Sequence, residues 1–383
     1  MKQRTPRISV LGSLAALALA VGLTSCKSGD GDTIKIGEFA SLTGKEATFG
    51  TSSHEGTLLA IEEINAAGGV LGKPLELLTE DNQSKPSETS RAVNKLISRD
   101  GVVALLGEVA SSRSLEAAPI AQRAGIPMIS PASTNPAVTE TGDFIFRACF
   151  TDPFQGAALA NFATNELKAT RVAVLTDVKS DYSKGLAKHF KEKFLANGGE
   201  LVTELDFSGG DKDFRSQLTT IKNANPDAVF LPGYYTDVAL IAIQARQVGL
   251  EAPLFGGDGW ESDVLLEIGK EAVNGYYFST HCAPDQGNEK MEAFVAAYRK
   301  RWNNKSPDAM AALGYDSALL LADALKRAGS TEPKALRDAL AATTGLPGAS
   351  GTISLNENRD AVKALVFIKI ENGRFTYSAT VNP

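Results

Sequence analysis

Two short stretches of small polar residues carry the most chemistry in this 383-residue chain. Gly107-Glu108-Val109-Ala110-Ser111-Ser112 follows one apolar run and leads into a helix expected to begin near Arg113, and Ser130-Pro131-Ala132-Ser133-Thr134-Asn135-Pro136 follows the next. Hydroxyls beside a helix start suit a carboxylate, because the first turn leaves N–H groups unpaired and carries the positive end of the helix dipole. The same residues also have a purely local use, Ser111 or Ser112 as an N-cap and Thr134 as a turn residue. Further along, Leu231-Pro232-Gly233-Tyr234-Tyr235 and Phe255-Gly256-Gly257-Asp258-Gly259-Trp260 end two more apolar runs. Asp258 lies between glycines that permit close backbone approach, so its carboxylate is placed either to meet a ligand cation or to sit as an exposed turn aspartate. Trp260 beside it reads equally as a reporter of closure or as ordinary packing.

Other chemistries lack their signatures. Gly44-Lys45 is followed by Glu46 and has no upstream glycine at phosphate-loop spacing, so nucleotide hydrolysis is not supported. The histidines are His54, His189 and His281, none in HExxH or another metal-ligand spacing, and His189 falls on the polar side of its expected helix. No GxSxG elbow is present. The sequence therefore shows no local motif for a metal, a cofactor or a catalytic residue, and leaves open only a Ser-His-Asp triad assembled across the fold.

These polar stretches need elements that bring them to one place. From Thr33 onward β-rich runs alternate with amphipathic stretches, the pattern of βα units around parallel sheets. Thr33 to Ala40, Leu75 to Thr79, Val102 to Gly107 and Ile126 to Ser130 read as strands, and a helix after Gly50 places Leu58, Ile61 and Ile64 on one face before Gly68-Gly69. The alternation restarts with Arg171 to Thr176, Leu201 to Phe207 and Ala228 to Leu231, with helices carrying Leu186, Phe190 and Phe194 and spanning Phe214 to Ala224. Helices follow at Met291 to Trp302, Met310 to Ala328 and Pro333 to Ala342, and the chain closes with Val366 to Ile370 and Phe375 to Thr380 around Asn372-Gly373, a hairpin signal. The expected fold is α/β, two Rossmann-like lobes with parallel sheets, in which ligands sit beyond the carboxyl ends of strands.

The amino terminus sets the compartment. Lys2, Arg4 and Arg7 precede an apolar run from Ile8 to Leu23, closed by Leu23-Thr24-Ser25-Cys26. This reads as a cleaved export signal over residues 1–25 that ends in a lipobox, with a lipid on Cys26 anchoring the protein to a membrane and residues 26–32 as a polar tether. Removing residues 1–25 takes away three basic residues and no acidic one, leaving 36 Lys plus Arg against 45 Asp plus Glu, a net charge of −9. An acidic chain of this kind argues against nucleic acid as a partner. Cys149 and Cys282 are compatible with one disulfide or with two free thiols.

Several of these pieces recur together. Ser41-Leu42-Thr43-Gly44 with Phe49-Gly50, Ala60-Ile61-Glu62-Glu63-Ile64-Asn65 before Gly68-Gly69, Gly107 to Ser112, Ser130 to Thr134, and Phe146-Arg147-Ala148-Cys149-Phe150-Thr151-Asp152 with Gln155-Gly156 stand in that order and spacing. Over essentially the whole mature chain this resembles the leucine/isoleucine/valine-binding proteins, type I periplasmic binding proteins that serve branched-chain amino acid ABC transporters. The resemblance implies lobe 1 from 33–148 and 284–356, lobe 2 from 149–283 and 357–383, and hinge crossings near Cys149, Cys282 and Leu355. It implies an amino acid enclosed between the lobes: Ser111 and Thr134 on the α-carboxylate; Ala132 carbonyl, Thr134 hydroxyl and Asp258 on the α-ammonium; Tyr234 over the ligand with Tyr182 nearby. Phe49, Val109, Ala110, Ser133 and Met310 would form the side-chain pocket. Better-known members carry tyrosine where Phe49 stands, often glutamate where Asp258 stands and an aromatic at the Met310 position, departures that bear on which side chain is preferred. Implied partners are a small-molecule amino acid and membrane permease subunits, the protein itself being a monomer. The alternative is a sensing module of the same fold for an amide, a small aliphatic amino acid or an aromatic acid.

Overall fold

A computed structural model of the chain describes residues 33–284 and 288–383; Cys26, the expected signal and the expected tether lie outside the described residues. The first half alternates strand and helix as β1 (Ile34–Ala40), α1 (Ala47–Ala66), β2 (Leu75–Asp81), α2 (Pro86–Lys95), β3 (Ala104–Leu106), α3 (Ser111–Ala124), β4 (Met128–Ser130), α4 (Ala137–Glu140) and β5 (Ile145–Arg147). The second half continues as α5 (Asp152–Asn165), β6 (Arg171–Asp177), α6 (Asp181–Ala196), β7 (Glu200–Phe207), α7 (Arg215–Ala224), β8 (Ala228–Phe230), α8 (Tyr235–Gln247), β9 (Leu254–Gly256), α9 (Asp263–Gly269) and β10 (Tyr277–Thr280). Then come α10 (Glu289–Arg301), α11 (Ala309–Ala328), α12 (Pro333–Ala341), the short β11 (Leu346–Gly348) and β12 (Gly351–Ile353), and the closing hairpin β13 (Leu365–Glu371) and β14 (Arg374–Val381).

The first sheet runs β2-β1-β3-β4-β5 with every pairing parallel. The second repeats that winding as β7-β6-β8-β9-β10, and adds β13 antiparallel to β10 and β14 antiparallel to β13. The expected parallel sheets are present, and the hairpin makes the second one mixed at its edge. Strands β3, β4, β8 and β9 are buried along their whole length, as strands covered by helices on both faces must be. In each sheet the strand order reverses beside the first strand of its half, and the polar stretches leave β3, β4, β8 and β9 at their carboxyl ends, where open α/β sheets place ligands.

The chain passes between the two sheets three times: between β5 and α5, between β10 and α10, and between β12 and β13. Helix α5 packs on α6, whereas α11 returns to pack along α1. That last contact is unusually close. A Cβ on Gly56 would lie 1.9 Å from the Ala311 carbonyl oxygen, and one on Gly314 would lie 2.1 Å from the Ser53 carbonyl oxygen. Alanine favours a helix by about 1 kcal/mol over glycine, but here it would force two backbones apart. Gly56→Ala is therefore expected to destabilise the protein by about 1–3 kcal/mol, read as a lower denaturation midpoint.

Elements not expected from sequence include the short strands β5 and β10 and also the longer helices α5 and α8. Strands β5 and β10 and helix α8 carry no distinctive period, and α3 begins at Ser111 rather than near Arg113. Trp260 is fully buried and donates its indole N–H to the Leu231 carbonyl at 2.9 Å, so it is a packing residue of the interior. Cys149 and Cys282 are buried free thiols; burial pushes Cys149 up to about 12. His189 is half-buried and lies 3.5 Å from Glu192.

Candidate functional site

The turn after β3 is built around a buried ion network. The Glu108 carboxylate accepts from the Ser41 N–H at 3.0 Å and the Ala110 N–H at 2.8 Å, and pairs with Arg113 at 3.2 Å. Arg113 also reaches Glu46 at 3.1 Å. The Glu108 carbonyl in turn receives the hydroxyls of Ser130 at 2.7 Å and Ser133 at 2.9 Å, which locks the turn after β4 against the turn after β3. Ser133 thus points its hydroxyl into this lock. Neither Ser111 nor Ser112 caps α3: the Ser111 hydroxyl accepts from the Asn135 N–H at 3.3 Å, and the Ser112 hydroxyl accepts from the Asp181 N–H at 3.0 Å.

The second of those bonds joins the lobes. Asn135 adds another by donating its side-chain amide to the Asp181 carbonyl at 2.8 Å, Tyr235 donates to the Lys45 carbonyl at 3.1 Å, and Ser262 donates to the Thr48 hydroxyl at 3.1 Å. Glu261 crosses as well, accepting from the Ala309 N–H at the start of α11 at 2.9 Å. Burial, with Asp308 close by, pushes its carboxyl up to about 8.

These contacts close the lobes over the residues singled out by sequence. Phe49, Val109, Ala132 and Met310 share one apolar cluster, with Ala110 buried beside Val109. Phe49 meets the edge of Tyr234 at a centroid distance of 5.7 Å and of Tyr235 at 4.8 Å. Tyr234 stacks on Tyr182 at 5.3 Å, and the Tyr182 hydroxyl accepts from the Gly259 N–H at 3.1 Å. Gly257 has no room for a side chain, since a Cβ there would lie 2.5 Å from the Tyr182 hydroxyl. Of the eleven residues in the candidate set all but Tyr234 are buried.

Asp258 sits at the polar end of this group, buried, in the turn after β9. One carboxylate oxygen accepts from the Gln155 amide at 2.8 Å and the other faces His281 Nε2 at 3.0 Å. Burial lowers the His281 pKa and Asp258 opposes that shift, so the ring is assigned neutral with its proton on Nε2, donated to Asp258. Around Asp258 lies a set of buried polar atoms that complete no hydrogen bond within the protein: Thr134 Oγ1, both carboxyl oxygens of Asp152, Gln155 Oε1 and His281 Nδ1. Asp152 opens α5, gives its N–H to the Thr134 carbonyl at 2.8 Å, and faces Gly185 of α6. Burial pushes its carboxyl up to about 8; the nearby Thr134 hydroxyl opposes the rise without reaching good hydrogen-bond geometry, and the Asp258 charge adds to it.

Asp152, Gln155 and His281 received no role from the sequence. Asp152 and Gln155 stood in the Phe146-to-Gly156 pattern, which was the available signal; His281 had none, because β10 itself was not identified. A separate cavity of about 410 Å³, walled by Phe278, Pro307, Ile368 and Phe375 among others, shares no residue with the candidate set. Among the described residues no group of His, Cys, Asp and Glu is arranged to hold a metal, and no helix is long and apolar enough to cross a membrane.

Two lobes of like winding, joined by three passages and closed over a buried polar and apolar site, define a type I periplasmic binding fold. The chain belongs to the periplasmic binding protein family, whose model matches residues 33–374. It is 32% identical over 362 residues to a leucine-, isoleucine-, valine-, threonine- and alanine-binding protein of Pseudomonas aeruginosa, covering 94% of each chain. Among solved structures it is similar to the leucine-binding protein LivK of Thermotoga maritima, at 42% identity and a TM-score of 0.88, covering 91% of this chain and 99% of that one. It is also similar to the branched-chain amino acid transporter substrate-binding protein LivJ of Streptococcus pneumoniae in complex with isoleucine, at 35% identity and a TM-score of 0.87, covering 92% and 100%. The family is one of binding proteins, not enzymes.

Proposed function

We propose that this protein is an extracytoplasmic receptor that captures an apolar L-amino acid, the branched-chain ones above all, and delivers it to an ABC transporter permease. The observation that carries the reading is the excess of buried acceptor atoms around Asp258 next to an apolar cluster. An α-ammonium brings three donors to acceptors that the protein leaves without any, and buried polar groups without partners are costly. The Ala132 carbonyl, Thr134 hydroxyl, Asp152 and Asp258 receive that ammonium. Ser111, Thr134 and the free N–H groups at the start of α3 receive the carboxylate. The side chain lies among Phe49, Val109, Ala110 and Met310 near Ser133, under Tyr234 and Tyr182.

The lobes divide at 33–148 with 284–356, and 149–283 with 357–383, and the passages between them act as hinges. A ligand that touches both lobes favours the closed arrangement. Cys26 carries the lipid that holds the mature protein, a monomer, at the membrane. Each buried CH₂ contributes about 0.8 kcal/mol, so leucine gains about 2.4 kcal/mol over alanine, roughly 60-fold.

The test is thermal unfolding of the protein from Lys27 to Pro383, freed of carried-over ligand by unfolding and refolding, against amino acids, amides and aromatic acids. A ligand at 100 times its Kd adds about 2.7 kcal/mol and raises the midpoint. Leucine, isoleucine or valine is expected to stabilise it most. Stabilisation only by molecules without an α-ammonium would overturn the amino-acid assignment.

A further inference from the structure

Among the described residues Arg147 is the one arginine that is wholly buried, and the residues it touches are those that shape the turn after β4. One terminal nitrogen donates to the Ser133 carbonyl; the other donates to the Asn135 carbonyl at 2.9 Å, the Pro136 carbonyl at 3.3 Å and the Thr139 hydroxyl at 2.9 Å. Its Nε donates to Asp360 at 2.6 Å, on the passage between β12 and β13, and the Thr139 hydroxyl donates to the same Asp360 oxygen at 2.8 Å. Asp360 is itself fixed, its N–H bonded to the Asn356 side chain at 3.0 Å. Nearby, Arg359 fastens the same passage to the first sheet through the Ile145 carbonyl at 3.1 Å and the Thr139 carbonyl at 2.8 Å.

A buried guanidinium is tolerated only when its donors are met, and here backbone carbonyls on either side of Thr134 meet them. The consequence falls on Thr134. With the Ser133 and Asn135 carbonyls drawn to Arg147, the Thr134 carbonyl turns to the Asp152 N–H, and its hydroxyl is left buried with no internal partner. We propose that Arg147, held by Asp360, is the positioning residue that presents Thr134 to the ligand. This rests on the amino-acid reading of the site. Lysine cannot replace it, since one ammonium cannot span three carbonyls and a carboxylate in a planar fork.

The test is a mutant cycle on the purified protein, read by calorimetric titration with leucine. Arg147→Lys is expected to weaken binding at least about tenfold in the native background and less than about threefold in a Thr134→Val background, because the residue it acts through is already gone. Equal losses in the two backgrounds would mean a general structural role and overturn the proposal. A second readout needs no ligand: amide exchange in the ligand-free protein should quicken at Thr134 and Asn135 in Arg147→Lys while the strands of the first sheet keep their rates. Unchanged exchange at Thr134 and Asn135 overturns the proposal even if leucine proves not to be the ligand, and localised quickening upholds it in that same case. Should Arg147→Lys fail to fold, Asp360→Asn, whose side chain is partly exposed, carries the same comparisons.

Discussion

Asp258→Ala is expected to weaken binding of a branched-chain amino acid by roughly 2–5 kcal/mol, a loss of about thirtyfold to several thousandfold, measured by calorimetric titration. Two effects add. The ammonium loses a charge-bearing acceptor in a site closed to water, and the donors that Asp258 now satisfies, the Gln155 amide and His281 Nε2, are left buried without an acceptor. The second effect also disturbs the empty protein, so the variant separates them: a drop in stability without ligand reports the stranded donors, and any further loss on titration reports the ammonium. Asp258→Asn keeps one acceptor oxygen and sets an NH₂ against a second donor, so its affinity should fall nearly as far. Near-unchanged affinity in both variants would remove Asp258 from the site and leave Asp152 as the counter-charge.

The contrast between Asp258 and Asp152 also shows what the sequence could carry. Asp258 was legible because glycines flank it at the end of an apolar run, and glycine beyond a strand end signals close approach wherever it occurs. Ser111 and Thr134 stood out as small polar residues between a buried strand and a helix, with a local cap or turn reading left open beside the binding one, and Ala132 entered only through the family resemblance. Both windings of the sheets could be read from long alternating runs. What could not be read depends on distant chain coming together. Asp152 opens a helix and reads as an ordinary N-terminal acid; only the packing of Thr134 and α6 around it makes it a buried carboxyl with nothing to accept from. Arg147 ends a three-residue strand, too short to show a period, and its partner Asp360 lies 213 positions away. His281 follows a strand that joins its sheet between a parallel and an antiparallel neighbour, a position that local pattern does not mark.

These buried groups give the site a proton to release. With the lobes closed over it, burial pushes the Asp152 carboxyl up to about 8, with Asp258 adding repulsion, so at neutral pH it is mostly protonated. An ammonium placed against Asp152 favours the ionised form and brings its pKa down in the complex. Between the bound and free values the empty protein holds a proton that the complex lacks, so binding releases it and affinity rises with pH, by roughly tenfold per unit at most, levelling off once the free carboxyl has ionised. Titrations with leucine in buffers of different ionisation heat at about pH 6.5 should show close to one proton released per ligand. Glu261 is also pushed up to about 8, but it bridges to the start of α11 outside the acceptor cluster, so a contribution from it would persist when Asp152 is changed. Asp152→Asn is therefore the deciding variant: it should flatten the dependence and abolish most of the proton release while leaving measurable binding through Asp258. A native protein whose affinity does not change between about pH 5.5 and 7.5 would show that Asp152 keeps the same protonation in both states and does not face the ammonium.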